Sequence, residues 1–355
     1  MFLRCTRRIL LAFALAAGPA PALAQAFVHV AGFEPADALY SLPPPATLVV
    51  VDGDVVDAVH GRSIPIRARW SQEAIDAGGP LPVVVWVHGG NADANGRAGS
   101  REWSETLARA GFVVVHPSIV PRTAAERDAL WAAFGLTPQQ GASCGFNPVY
   151  VDRPRDTSAV IDALPGLAAQ FPPLAGRLDL SRLVVAGHSF GAFTARAVAG
   201  ARLDLCPTGS GAPMGWPFRD TQFTDPRPIA FLALSPQGPG RLAFFEQSFG
   251  TLTRPEFMAT GRGDITPAET PDDRLRSFQL IAPRGKYLLW IDDARASHAT
   301  FNLNEPLTPD FDPWLQAHVL AFLDAEVRGR AAAAEALQSG AITGVSAGVA
   351  TLTWK

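Results

Sequence analysis

Two near-continuous apolar runs, "VVVWV" (83–87) and "FVVVHP" (112–117), flank "SREWSETLARAG", where Trp103 and Leu107 recur at helical spacing until Gly111 stops the pattern. An unbroken apolar run of this length reads as a strand buried on both faces, and the segment between as a helix. The same alternation continues. "RDTSAVIDALPGLAAQF" is helical, "SRLVVAGHS" a strand, "FGAFTARAVAGA" a helix and "RPIAFLALSPQG" a strand ending in a turn. "RPEFMATGRGD" is a strand and loop, "PDDRLRSFQLI" a helix, "KYLLWIDDA" a strand and "DPWLQAHVLAFLDAEV" an amphipathic helix. Ahead of all of them, residues 46–70 are rich in β-branched side chains with turn signals at Asp52-Gly53 and His60-Gly61, predicting antiparallel leading strands. Strands alternating with helices predict an α/β fold with a mostly parallel central sheet and helices on both faces. Three stretches rich in Pro, Gly and aromatics (117–150, 201–227 and 235–252) read as loops or lid pieces.

The chain has 355 residues, of which 48% are hydrophobic and 18% charged, enough for a sizeable core and too apolar for global disorder. A formal charge of −3 and the lack of a polybasic run argue against a nucleic-acid partner. The first 24 residues differ: Arg4, Arg7 and Arg8 precede the apolar run "ILLAFALAA", and Ala22 and Ala24 close it in an A-x-A arrangement. This predicts a signal peptide over 1–24 and a secreted or periplasmic protein. The apolar run is too short for a stable membrane span. A catalytic domain over 25–330 follows, then a tail (331–355) that the sequence leaves between an edge strand and an unstructured end. Cys144 and Cys206 remain after cleavage, and an oxidising compartment permits a disulfide between them. Against it, the loop holding Cys144 leaves a strand's carboxyl end, whereas the loop holding Cys206 follows a helix and starts from the opposite side.

In open parallel sheets, ligands bind beyond the carboxyl ends of the strands. "VVAGHSFGAF" (184–193) places Ser189 at such an end, between a strand and a helix, with Gly187 and Gly191 two residues away on either side. That is the pattern of a nucleophile elbow, and the Phe190 N–H would lie at the following helix's N-terminus. A serine nucleophile needs a base, and the base an orienting acid. Downstream strand ends offer Asp264 after "RPEFMATGRG" and His298 after "KYLLWIDDARAS". Asp292 and Asp293 compete for the acid's role, and His318, inside the last predicted helix, reads as a packed or surface residue. "VHGGN" supplies a second backbone donor for an oxyanion hole, Gly90 with Asn91 as alternative. His88, His188, His116 and His60 read as structural. No metal-ligand motif is present, so no metal or other cofactor is expected.

These residues resemble the α/β-hydrolase fold superfamily, and within it the dienelactone-hydrolase-like and platelet-activating-factor-acetylhydrolase-like esterases and lipases. The resemblance spans about residues 45 to 325 through "GRSIPIRARW", "VVVWVHGG", "RPRDTSAVIDAL", "GHSFGAF", "ALSPQGPG", "TGRGD" and "SHATF", in that order. Dienelactone hydrolases proper use a cysteine nucleophile, and Ser189 departs from them. The resemblance implies a carboxylic ester hydrolase with Ser189 as nucleophile, His298 as base, Asp264 as acid and Gly90 and Phe190 as oxyanion donors. Its substrate would be a small-molecule or lipid ester. A polyester- or phospholipid-directed hydrolase is a second expectation, and a non-catalytic binding protein on a hydrolase scaffold a third. Trp131, Phe134, Phe146, Trp216 and Phe218 lie in the two long loops, where they either pack a loop core or line a pocket. Oligomeric state is not legible.

Overall fold

The computed structural model describes residues 39–208, 219–303 and 310–355, and the backbone of 27–28. The expected signal peptide, Trp216 and Phe218 lie outside the described residues.

One sheet holds β1 (Leu48–Asp57), β2 (Arg62–Ser71), β3 (Leu81–Val87), β4 (Val113–Pro117), β5 (Leu178–His188), β6 (Ala230–Leu234), β7 (Glu256–Gly261), β8 (Lys286–Ile291) and β9 (Ala350–Trp354). Their order across the sheet is β9-β8-β7-β6-β5-β3-β4-β2-β1. From β3 to β8 all neighbours are parallel, while β1 and β2 at one edge and β9 at the other are antiparallel. The apolar runs are explained by the two cores. Val83, Val85 and Val87 face one core, and Val84 and Trp86 face the other. A strand covered on both sides has no polar face to spare.

Besides the short helix Gln72–Asp76, the α-helices among the described residues are α1 (Arg101–Arg109), α2 (Ala124–Ala133), α3 (Pro138–Ser143), α4 (Val149–Ala163), α5 (Phe190–Ala199), α6 (Pro271–Leu280), α7 (Asp312–Glu326), α8 (Ala331–Gln338) and α9 (Ala341–Val345). Among the described residues, no helix is long and apolar enough to cross a membrane.

Two features differ from the sequence expectations, in the 117–150 stretch and in α7, and the tail takes one of the two forms the sequence left open. The 117–150 stretch is not irregular: it carries α2 and α3. Both begin at capping boxes, Thr123 with Glu126 and Thr137 with Gln140, whose side chains satisfy the first free N–H groups of the helix. The tail is ordered: α8 packs on α7, and β9 pairs with β8 from Tyr287↔Trp354 to Ile291↔Ala350. With α8 laid over it, α7 is buried nearly all round rather than amphipathic, and His318 is buried with Nδ1 on the Trp314 carbonyl.

Cys144 and Cys206 form a disulfide, with Cα atoms 4.8 Å apart. The opposite-sides argument fails because the chain does not stay at the strand end it leaves. The excursion through α2 and α3 runs back until Thr208 N–H donates to the Cys144 carbonyl at 3.2 Å and Thr208 Oγ1 to the Ser143 carbonyl at 3.0 Å. Closing a 62-residue separation is worth up to about 4 kcal/mol in the chain-entropy view. Reduction should therefore lower Tm by about 5–10 °C. Calorimetry with and without dithiothreitol checks this, and an unchanged Tm with both thiols alkylatable would contradict it.

Candidate active site

The site forms where β3, β5, β6, β7 and β8 end. Ser189 follows β5 and caps α5 with φ 55° and ψ −121°, a conformation that a side chain adopts only when its surroundings enforce it. The surroundings are the two glycines. A Cβ on Gly187 would stand 2.6 Å from the Gly191 carbonyl oxygen, and one on Gly191 would collide with the Val87 carbonyl. Ser189 N–H donates to the Leu234 carbonyl at 2.9 Å, which ties the turn to β6. Phe190 opens α5, so its N–H is among the helix's unsatisfied donors.

Asp264 lies in the loop after β7 and is fully buried. Its Oδ1 is 2.9 Å from His298 Nδ1, and Thr260 Oγ1 donates to its Oδ2 at 2.8 Å. Arg274, also fully buried, brings Nε to 3.2 Å from Oδ2. Burial alone would raise Asp264. The His298 hydrogen bond, the Arg274 charge and the Ser235 hydroxyl outweigh it and hold the carboxyl below its ordinary range. An ionised Asp264 only accepts, so His298 carries its proton on Nδ1 and presents Nε2 as an acceptor. His298 is reachable, its side chain being 29% exposed.

Several partners in this site carry no sequence signal of their own. Ser235, at the end of β6 with φ 49°, donates its hydroxyl to Asp264 Oδ1 at 2.9 Å. Its oxygen also lies 2.8 Å from His298 Nδ1, so the imidazole N–H is shared between two acceptors. Arg274 Nη1 donates to the Ser235 and Pro236 carbonyls, each at 3.0 Å, and meets Glu269 Oε2 at 3.1 Å. Burial pushes Glu269 up to about 7 in spite of that guanidinium. The His188 ring lies tilted against that of His298, centroids 4.5 Å apart, and its Nε2 donates to the His298 carbonyl at 2.9 Å. Burial, then the neighbouring His298, pulls His188 down to about 3, so it stays neutral while it holds the His298 loop.

The "HGGN" loop runs beside the elbow: a Cβ on Gly89 would come 3.5 Å from Ser189 Cβ. Gly90 sits at φ 71°, where a side chain would be strained. His88 is buried and structural. Its Nδ1 donates to the Gly89 carbonyl at 2.7 Å and its Nε2 accepts Ile119 N–H at 3.2 Å, with burial pulling it down to about 4.

The remaining candidates stand elsewhere. Asp292 pairs with Arg262 and Asp293 with Arg295 at the surface, His116 meets Ser104, and His60 meets Asp57. Trp131 and Phe146 are buried, joined by the Trp131 Nε1 hydrogen bond to the Phe146 carbonyl, and Phe134 packs edge-on to Phe146. These three form a loop core. No cluster of metal-ligating side chains occurs among the described residues.

No protein-family model matches the sequence, and no curated protein matches it. Solved structures are similar in shape at low identity. A cold-adapted esterase from an Arctic intertidal metagenomic library is 14% identical, with 80% of this chain and 96% of that one covered and a TM-score of 0.47. A dienelactone hydrolase-like promiscuous phosphotriesterase from metagenomic libraries is 15% identical, covering 79% and 99%, at 0.46. An esterase from Rhizomucor miehei is 13% identical, covering 81% and 86%, at 0.48. The parallel sheet led by two antiparallel strands, with an elbow after β5 and the loops after β7 and β8 converging beside it, gives this chain the α/β-hydrolase fold.

Proposed function

We propose that the chain is a serine hydrolase of carboxylic esters that works through an acyl-enzyme. The observation that carries this reading is the His298–Asp264 contact, with the His298 ring against His188, the residue next to Ser189 at the elbow. In the first step the Ser189 hydroxyl oxygen bonds to the ester carbonyl carbon while His298 Nε2 takes its proton. The carbonyl oxygen becomes an oxyanion facing the N–H groups of Gly90 and Phe190. As the intermediate collapses, the carbon–alkoxy bond breaks and the imidazolium returns its proton to the leaving alcohol. Water, deprotonated by the same imidazole, then releases the acid and restores Ser189. Asp264 stays ionised throughout, stabilising the imidazolium and fixing its tautomer. Small-molecule or lipid esters are the substrate class. The arginine-led N-terminal apolar segment and the disulfide support a secreted or periplasmic site of action.

A fluorophosphonate probe tests the reading. One adduct per chain, mapped to the peptide containing Ser189, is expected together with loss of esterase activity. An unlabelled, inactive protein would refute the proposal, and an adduct elsewhere would move the nucleophile.

A further inference from the structure

Arg153 lies in the middle of α4, far from Ser189 in sequence, with its side chain fully buried. A buried guanidinium is ordinarily matched to a carboxylate. This one has none among its hydrogen-bond partners in the described residues. Nη1 donates to the His88 carbonyl at 2.8 Å and reaches Thr194 Oγ1 at 3.4 Å. Nη2 donates to the Gly90 carbonyl at 2.5 Å and the Asn91 carbonyl at 3.1 Å. The guanidinium carbon stands 4.6 Å from the centre of the Phe190 ring, and Thr194 Oγ1 donates to the Phe190 carbonyl at 2.9 Å. One cation thus touches both segments that would supply oxyanion donors.

The consequence follows from the peptide unit. It is planar and trans, so its C=O and N–H point in opposite directions. Anchoring the Gly90 and Asn91 oxygens on the buried side turns the N–H groups of Asn91 and Ala92 the other way. The Gly89 oxygen, held by His88, does the same for Gly90 N–H. Left alone, a glycine-rich loop would sample many such orientations. The charge acts as well. A cation not neutralised by a carboxylate in contact, in a region of low dielectric, favours negative charge developing nearby.

We propose that Arg153 is a positioning residue of the oxyanion hole: its guanidinium fork holds the His88 and Gly90 carbonyls on either side of the Gly89–Gly90 peptide, so that the Gly90 N–H stays aimed beside that of Phe190, and it lends the site its positive charge. This rests on the serine-hydrolase reading above. It extends that reading to a residue that touches neither substrate nor triad.

The test compares wild type with Arg153→Met and Arg153→Lys. It reads kcat and KM per phosphonate-titrated site, the rate of Ser189 phosphonylation, Tm, and amide hydrogen exchange across residues 88–92. Arg153→Met should lower kcat by about 10²-fold, the scale of a lost oxyanion donor, with KM changed less than about threefold and phosphonylation slowed in parallel. Arg153→Lys keeps the charge but not the planar fork, and should lower kcat by about tenfold. A merely structural role would lower Tm and the titratable fraction but leave kcat per titrated site within about threefold of wild type, which would overturn the proposal. If Arg153→Met does not fold, Arg153→Lys decides by the same criterion. If wild type neither labels nor hydrolyses esters, the serine-hydrolase reading has failed. Hydrogen exchange then judges Arg153 on its own: faster exchange across 88–92 in the variants supports the positioning role, and unchanged exchange overturns it.

Discussion

Ser189→Ala should lower kcat for ester hydrolysis by about 10⁴-fold or more, the loss expected of a triad nucleophile. The change removes one oxygen from a side chain that makes no capping hydrogen bond to α5, and it leaves Gly187, Gly191 and the Ser189 N–H bond to Leu234 in place. The elbow should therefore survive, and circular dichroism and Tm should match wild type. A folded variant that keeps a tenth of the activity would show that another group attacks the ester. If the oxyanion donors are the backbone N–H groups proposed above, the residual rate should stay above that in water.

Asp264→Asn should cost about 10⁴-fold in kcat, whereas Asp292→Asn and Asp293→Asn should stay near wild type. The reason is the proton on His298. An ionised carboxylate can only accept, which fixes that proton on Nδ1 and leaves Nε2 free to act. An asparagine amide offers an N–H in its place and stabilises the opposite tautomer. Ser235 does not rescue the variant, because its hydroxyl can donate to Nδ1 as readily as accept from it. Asp292 and Asp293 hold surface arginines, and their loss does not reach the imidazole. Steady-state kinetics on the three variants checks the ranking. An Asp292 or Asp293 variant more impaired than the Asp264 variant would move the acid to the strand end beside His298.

What the sequence discloses of this arrangement depends on how locally each feature is encoded. The elbow is written in five consecutive residues, because steric exclusion at Gly187 and Gly191 acts within one turn. Asp264 and His298 follow from chain order and strand ends, which a parallel sheet converts into proximity. Ser235, His188 and Arg153 are different. Each acts through a partner 29 to 110 residues away, and nothing in its own neighbourhood distinguishes it from a loop serine or a packed histidine or arginine. The helices α2 and α3 read as loops in the sequence, because Pro, Gly and aromatic content masks the two capping boxes that start them. The disulfide was obscured by a rule that holds for strand ends and fails for a long excursion.

The Cys144–Cys206 bond also sets a covalent topology. It closes a ring that contains α4, β5 and α5, and therefore both Arg153 and Ser189, while Asp264 and His298 lie outside it. A protease that cuts the backbone once inside the ring leaves a single covalent molecule, whereas one that cuts outside it divides the chain into two pieces held only by packing. The part of the candidate site that carries Ser189 is thus tethered against a nick. The part that carries Asp264 and His298 depends for its retention on the pairing of β7 and β8 with the rest of the sheet.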